Sequence, residues 1–411
     1  MKREKKKRGT ALFLALAMLL ALAACGTAAV SPENGAMSMG EGSFSAATEP
    51  LAEAQEMEGE SSASVSLPEP EEEALEESEE DTSYSYTLCF AGDINLADGQ
   101  YTTAALESSG LSGCVSETLL RCMTEADILC VNNEFAYTDR GTPLEGKAYT
   151  FRAAPQRVSV LEELGVDIAV LANNHVYDYG EEGLLDTLDT LDEAGIARIG
   201  AGRNLEEASA VHYVELENCT VAYIAASRVE WSAQTRPATT DGMGVFYTAY
   251  DTGLLYQRVK KAKEQADFVV VYMHWGMEGT ADLEEYQTEV GKGLVEAGAS
   301  LVVGDHPHEL QGVRYQDGVP IFYSMGNYWF SRREEYTMLL NVTIVGDKRG
   351  VSQVDYQIVP AYQRDARVTW LESPESQRAM YDYLASLPYS AVSIDENGRM
   401  TEKKESGGRE N

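Results

Sequence analysis

Six short apolar runs, each halting abruptly at polar residues, constrain this chain more than any other feature. TLCFAGDIN stops at Gly92-Asp93, ADILCVNNE at Asn132 and Glu134, and VDIAVLANNH at Asn173, Asn174 and His175. DFVVVYMHWGME stops at His274 and Glu278, ASLVVGDHPH at Asp305, His306 and His308, and VPIFYSMGN at Asn327. Continuous runs of this length, rich in Val and Ile, predict strands buried on both faces. Helical patterns alternate with several of them. PQRVSVLEELG precedes the third run, EEGLLDTLDTLDEAG follows it, and LLYQRVKKAKEQA and LEEYQTEVGKGLVEAG flank the fourth. Such alternation predicts an α/β fold with a largely parallel sheet. Two hairpins are added, one turning at Glu217-Asn218 and one between Gly346 and Gly350. Two packed sheets with helices outside are therefore expected.

In open α/β sheets, ligands bind beyond the carboxyl ends of the strands. All six polar tips would share that edge. The chain has five histidines, and His175, His274, His306 and His308 all lie on these tips; His212, in the first hairpin, is the exception. A lone histidine at a strand end is usually solvated or hydrogen-bonded, but four co-located ones suggest a common task. With Asp93, Asn132, Glu134, Asn174 and Glu278 they make an oxygen and imidazole set without thiolate. That mixture suits Mn, Fe or Zn better than calcium or a structural zinc. Asp93, Glu134, Asn174, His274, His306 and His308 suffice for two divalent ions. A pair about 3.5–4 Å apart can clamp both oxygens of a phosphoryl displacement. His175 is then the candidate general acid. Asn132, Glu278, Asn327 and Arg152 are candidates to bind substrate, Arg152 through its planar fork. Taken singly, Asp93 also suits a helix cap, Asn173-Asn174 a turn, Asp178-Tyr179-Gly180 a helix start and Arg152 a loop surface.

Composition decides the address. MKREKKKR and ALFLALAMLLAL form the basic and apolar regions of a signal peptide, and Leu22-Ala23-Ala24-Cys25 resembles a bacterial lipobox, with Cys25 lipidated. Residues 31 to 84 hold 16 Asp or Glu and no Lys or Arg. Such a segment buries too little to order itself and reads as a disordered tether spanning roughly 40 Å. The organisation expected is a signal over 1–25, an acidic linker over 26–84, the folded domain over 85–371, and a helix with a frayed tail over 372–411. The expected location is the outer face of the cytoplasmic membrane, held by the lipid. A formal charge of −35 argues against nucleic acid as a partner. The five remaining cysteines have neither zinc-site nor disulfide spacing.

The motifs GDIN, NNE, ANNHVYDYG, HWGMEG, GDHPHELQG and YSMGNYWF, with FRAAPQ at 151–156, resemble in order those of the CapA (PgsA-like) capsule-synthesis proteins. That family takes part in poly-γ-glutamate capsule production and is similar to the calcineurin-like metallophosphatases. The resemblance covers roughly residues 86 to 335 and implies a four-layer αββα sandwich with a dimetal-type site. Asp93, Asn132, Glu134, Asn174, His175, His274, His306 and His308 fall on family motif positions. Two positions depart: Asn95, where the wider metallophosphatases usually have His, and Asp305, where the family commonly has His. Both bear on how many metals bind. The functions implied are a metal-dependent, phosphoesterase-like hydrolase in capsule synthesis or export, or a non-catalytic accessory protein binding nascent anionic polymer or a membrane synthase.

Overall fold

The apolar runs pair as expected of strands covered on both faces. In the computed structural model, residues 82–229 and 235–403 are described. The signal region, Cys25 and nearly all of the acidic linker lie outside them. The first sheet has ten strands. At its centre Tyr84–Ile94 pairs in parallel with Ile128–Asn133, followed by Ile168–Val170 and Ala197–Ile199. On its other side Tyr84–Ile94 meets the long hairpin Glu335–Asp347 and Gly350–Arg364 in antiparallel register. The second sheet has six strands, with Phe268–His274 between Cys219–Ser227 and Leu301–Asp305, all parallel.

Alternate side chains of each strand point to opposite faces, and both faces are used. Phe90, Ile128 and Cys130 meet Tyr223, Val270 and Val303 between the sheets. The intervening residues Cys89, Leu129 and Val131 pack outward on Leu119, Leu161 and Leu188 of the helices Glu117–Glu125, Val158–Leu164 and Gly180–Ala194. Val269, Val271 and Val302 pack outward on Leu255, Val259 and Leu294 of Gly253–Lys263 and Glu285–Ala297. Each such buried side chain contributes about 1.5–3 kcal/mol. Helix, sheet, sheet, helix is the four-layer order expected from the sequence.

Two expectations change. VPIFYSMGN is not one strand: Val319–Phe322 belongs to the second sheet, whereas Asn327–Trp329 pairs with Tyr84–Ile94 in the first. The crossing needs close backbone approach, since a Cβ on Gly92 would lie 2.1 Å from the Gly326 carbonyl oxygen. Between the expected C-terminal helix and a tail that lies outside the described residues beyond 403, the structure adds a hairpin. After the helix Pro374–Ser386, capped by Ser373, Val392–Ile394 and Arg399–Glu402 form a hairpin on the edge of the first sheet. The five cysteines described are free.

Candidate metal centre

The strand tips of both sheets meet at one place. A register shift in Tyr84–Ile94 at Asp93 marks a bulge, a device that re-aims a side chain beside a site. Asp93 is fully buried. Asn132 Nδ2 donates to its Oδ1 at 2.7 Å, and His308 Nδ1 donates to its Oδ2 at 3.1 Å and to Asn327 Oδ1 at 3.0 Å. Asn132 Nδ2 also lies 3.3 Å from His274 Nδ1, and His274 Nε2 lies 2.9 Å from Asn174 Oδ1. The ring centroids of His274 and His306 are 4.8 Å apart, those of His306 and His308 6.2 Å. Backbone strain accompanies this convergence: His306 has φ 101° and His308 φ 56°, conformations that L-residues hold only where the surroundings enforce them.

Glu134 is fully buried, yet neither carboxylate oxygen accepts a hydrogen bond, and His306 Nδ1 is likewise without one. His274 Nε2 stands 3.4 Å from Glu134 Oε1. Buried polar atoms in folded proteins are normally satisfied, so these orphans mark a place for an ion. Glu134 with His274 and His306, and Glu134 with Asp93 and His308, each bring three ligand atoms within 4.8 Å of one another. The donor set fits divalent cations, with Glu134 shared by both groups and Asn174 beside the first. Electrostatics agree. Burial pushes Glu134 well above the carboxylate range, reinforced by the charges of Asp93 and Asp305. Burial would raise Asp93 too, but His308 holds it below its ordinary value. Burial takes His274 down to about 3 and His306 well below its usual value, so both are neutral and able to ligate. Burial works to lower His308, but Asp93 carries it above.

Around this core the other candidates take distinct places. His175 Nδ1 donates to Asp178 Oδ2 at 2.7 Å. Asp178 also binds Phe151 N at 2.6 Å and Lys147 Nζ at 2.9 Å. Lys147 in turn donates to the carbonyl of Asn174. Asn173 Oδ1 accepts from the amides of His175 and Val176, and its Nδ2 donates to Asn132 Oδ1, which locks the two tips together. Asn327 supports His308. Glu278 is exposed, near enough for its charge to raise His308. Arg152 stacks on Tyr179, 4.6 Å from its centroid, and its Nη1 lies 3.5 Å from the Arg140 carbonyl oxygen. Asn95 spends its Oδ1 on the amide of Ala97, a turn bond. Asp305 accepts from Tyr272 OH and Met325 N. Sequence reading missed Asp178 and Lys147 as site residues. Asp178 carried a signal, three residues beyond His175; Lys147 carried none.

Fold and site together define a four-layer α/β protein with a buried carboxylate–imidazole cluster, suited to divalent cations, at its strand ends. The family model "Bacterial capsule synthesis protein PGA_cap" matches residues 87–332, and the chain belongs to that family. The chain is 29% identical over 247 residues to the PGA biosynthesis protein CapA of Bacillus subtilis, covering 59% of this chain and 63% of that one. It is 34% identical over 185 residues to the capsule biosynthesis protein CapA of Bacillus anthracis, covering 44% of each. The match thus spans less than two thirds of these relatives' length. A putative 5'-nucleotidase of Staphylococcus aureus superposes with a TM-score of 0.42 at 16% identity, covering 76% of this chain and 62% of that one. At that level the likeness adds nothing to what the sheets and site show.

Proposed function

We propose that the chain is a lipid-anchored capsule-synthesis protein whose folded unit is a metal-dependent, phosphoesterase-like hydrolase acting on a phosphoester or capsule-polymer bond. The observation that carries this is Glu134, buried with two unpartnered oxygens among His274, His306, His308 and Asp93. Asp93, Glu134 and His308 would hold one cation, and Glu134, Asn174, His274 and His306 the other. Bound Mn, Fe or Zn supplies Lewis-acid polarisation of the substrate oxygen. Asp178 accepts from His175 Nδ1–H and so aims Nε2 at the substrate. Burial lowers the ring and Asp178 works against that, so Nε2 passes a proton to the leaving group only from the imidazolium form, which the Asp178 charge supports. Phe151, 4.3 Å from the His175 ring, shields that proton from water. The basic-then-apolar start and Cys25 support the anchor, and the family and relatives support the capsule role. A nascent anionic polymer and a membrane synthase are the partners proposed.

The full chain, assayed with added Mn on phosphodiester and γ-glutamyl model substrates, should retain its metal and lose about 10²–10⁴ in rate in His175→Ala. His212→Ala, at a half-buried site in the strand His212–Leu216 and away from the tips, should behave as wild type. Cys25→Ser should shift the protein out of the membrane fraction. A metal-free protein that sustains capsule formation would overturn the hydrolase and leave the accessory reading. A relative in Mycobacterium tuberculosis, 29% identical over 214 residues, has the name of a probable polyglutamine synthesis accessory protein.

A further inference from the structure

A cavity of about 310 Å³ opens against the metal centre, with His308 and Asn327 in its wall. Apart from Leu310, the rest of the wall has two kinds of side chain. Tyr336 stands between two other rings, 5.6 Å from Tyr362 and 5.3 Å from Tyr383. Beside these rings lie Glu309, Glu334 and Glu335. Arg364 forks onto Glu334 at 2.9 and 3.0 Å, and Arg333 binds Glu309 at 3.1 Å. Both arginines are more than half exposed. Of the three carboxylates Glu335 is the least compensated, because Arg364 is taken by Glu334 and Arg333 sits closer to Glu309. The Glu335 side chain is only 15% exposed, and Arg333 stays 3.9 Å away. Its Oε1 accepts from the amides of Asn327 at 2.9 Å and Gln363 at 2.5 Å. Those donors satisfy lone pairs but bring no positive charge.

Tyrosine faces attract cations through the ring quadrupole, most strongly where water is scarce. A desolvated carboxylate at the end of such a cage completes a binding site for an ammonium group. The same wall offers phosphate and carboxylate no free guanidinium, because Arg333 and Arg364 are already paired with its own glutamates. We propose that this cavity is a recognition subsite for a primary ammonium group on the substrate, whose scissile bond lies at the adjacent metal centre. The proposal rests on the hydrolase reading above and adds the substrate's class: an anionic ester or amide bearing an amine. It also removes a conflict. Residues 85 to 411 carry 26 basic and 50 acidic side chains, so a polyanion is repelled along its length. A chain end or headgroup with an ammonium is drawn in.

The test uses the full chain loaded with Mn and two probe pairs. O-phosphoethanolamine is compared with n-propyl phosphate, and a γ-glutamyl oligomer with a free amino end is compared with its N-acetylated form. Calorimetry reads binding, and product release reads turnover. The amine member of at least one pair should bind about ten- to thirtyfold more tightly. Glu335→Gln should carry that ratio toward one. Tyr383→Leu, at a helix surface where the ring is 37% exposed, should reduce it severalfold without unfolding the chain. Preference for the phosphate ester alone assigns the site to a headgroup, and preference for the oligomer alone assigns it to a polymer end. Equal binding within both pairs overturns the subsite even if both esters are hydrolysed. Amine preference without turnover of any probe keeps the subsite and removes the hydrolase.

Discussion

Asp178 is closed off from water, its Oδ2 accepts from His175 Nδ1 and the amide of Phe151, and its Oδ1 forms an ion pair with Lys147 Nζ. The Lys147 side chain is 3% exposed and Asp178 fully buried, so each is the other's charge compensation. Removing one partner of such a pair leaves a bare buried charge and costs about 3–5 kcal/mol. Lys147→Met should therefore destabilise the chain by about that amount. The double variant Lys147→Met/Asp178→Asn should cost clearly less than the sum of its singles, because it leaves no orphan charge. Asp178→Asn alone keeps the shape but removes the charge behind the His175 imidazolium. Its rate should fall about 10²–10³-fold with metal content unchanged. Urea denaturation giving strictly additive costs, or Asp178→Asn at full rate, would show the triad to be passive.

At the level of strands and helices, legibility followed burial. The strands of the two sheet centres were readable because parallel strands covered on both faces are apolar without interruption, and their ends are where polarity begins. Helix ends were readable where glycine closes them, at Gly195 with φ 71° and Gly298 with φ 113°. The hairpin Val392–Ile394 and Arg399–Glu402 was hidden because each strand buries only alternate residues over three or four positions. The switch of sheets between Phe322 and Asn327 was hidden because it is set by tertiary contact, not by a turn residue. Lys147 meets Asp178 across a loop with no periodicity, so spacing could not reveal it. Gly304 belongs with these tertiary effects. A Cβ there would lie 2.2 Å from the Tyr323 carbonyl oxygen and 2.4 Å from Trp275 Nε1. Both neighbours are fixed, Trp275 by its own bond to that carbonyl at 2.8 Å. Gly304→Ala should cost about 2–3 kcal/mol in thermal unfolding and weaken metal binding, since Asp305 and His306 follow directly. An unchanged melting temperature would mean the crossing of the two strands has slack.

For the molecule as a whole, the same buried charges couple stability, metal and pH. In the metal-free protein, burial and the neighbouring Asp93 and Asp305 charges raise Glu134 well above its ordinary value, and Asp93 raises His308 against the effect of burial. A group whose folded value is raised gives stability that is full below its unfolded value, about 4.3 for Glu and 6.5 for His. That stability is lost as pH rises through the folded value. A dication prefers the opposite protonation states, so it must displace these protons, and its affinity climbs as they leave. Burial lowers both His274 and His306, so the metal displaces little or no proton from either. Bound metal stabilises by about 2.7 kcal/mol at a hundredfold excess over its dissociation constant, and by more as that constant falls. The gap in melting temperature between Mn-loaded and chelator-treated protein should therefore widen steadily from about pH 5 to pH 8. If Glu134 and His308 are not ligands, the metal displaces no proton from either and the gap stays flat; a gap that narrows with pH would mean the cation sits where no raised group faces it.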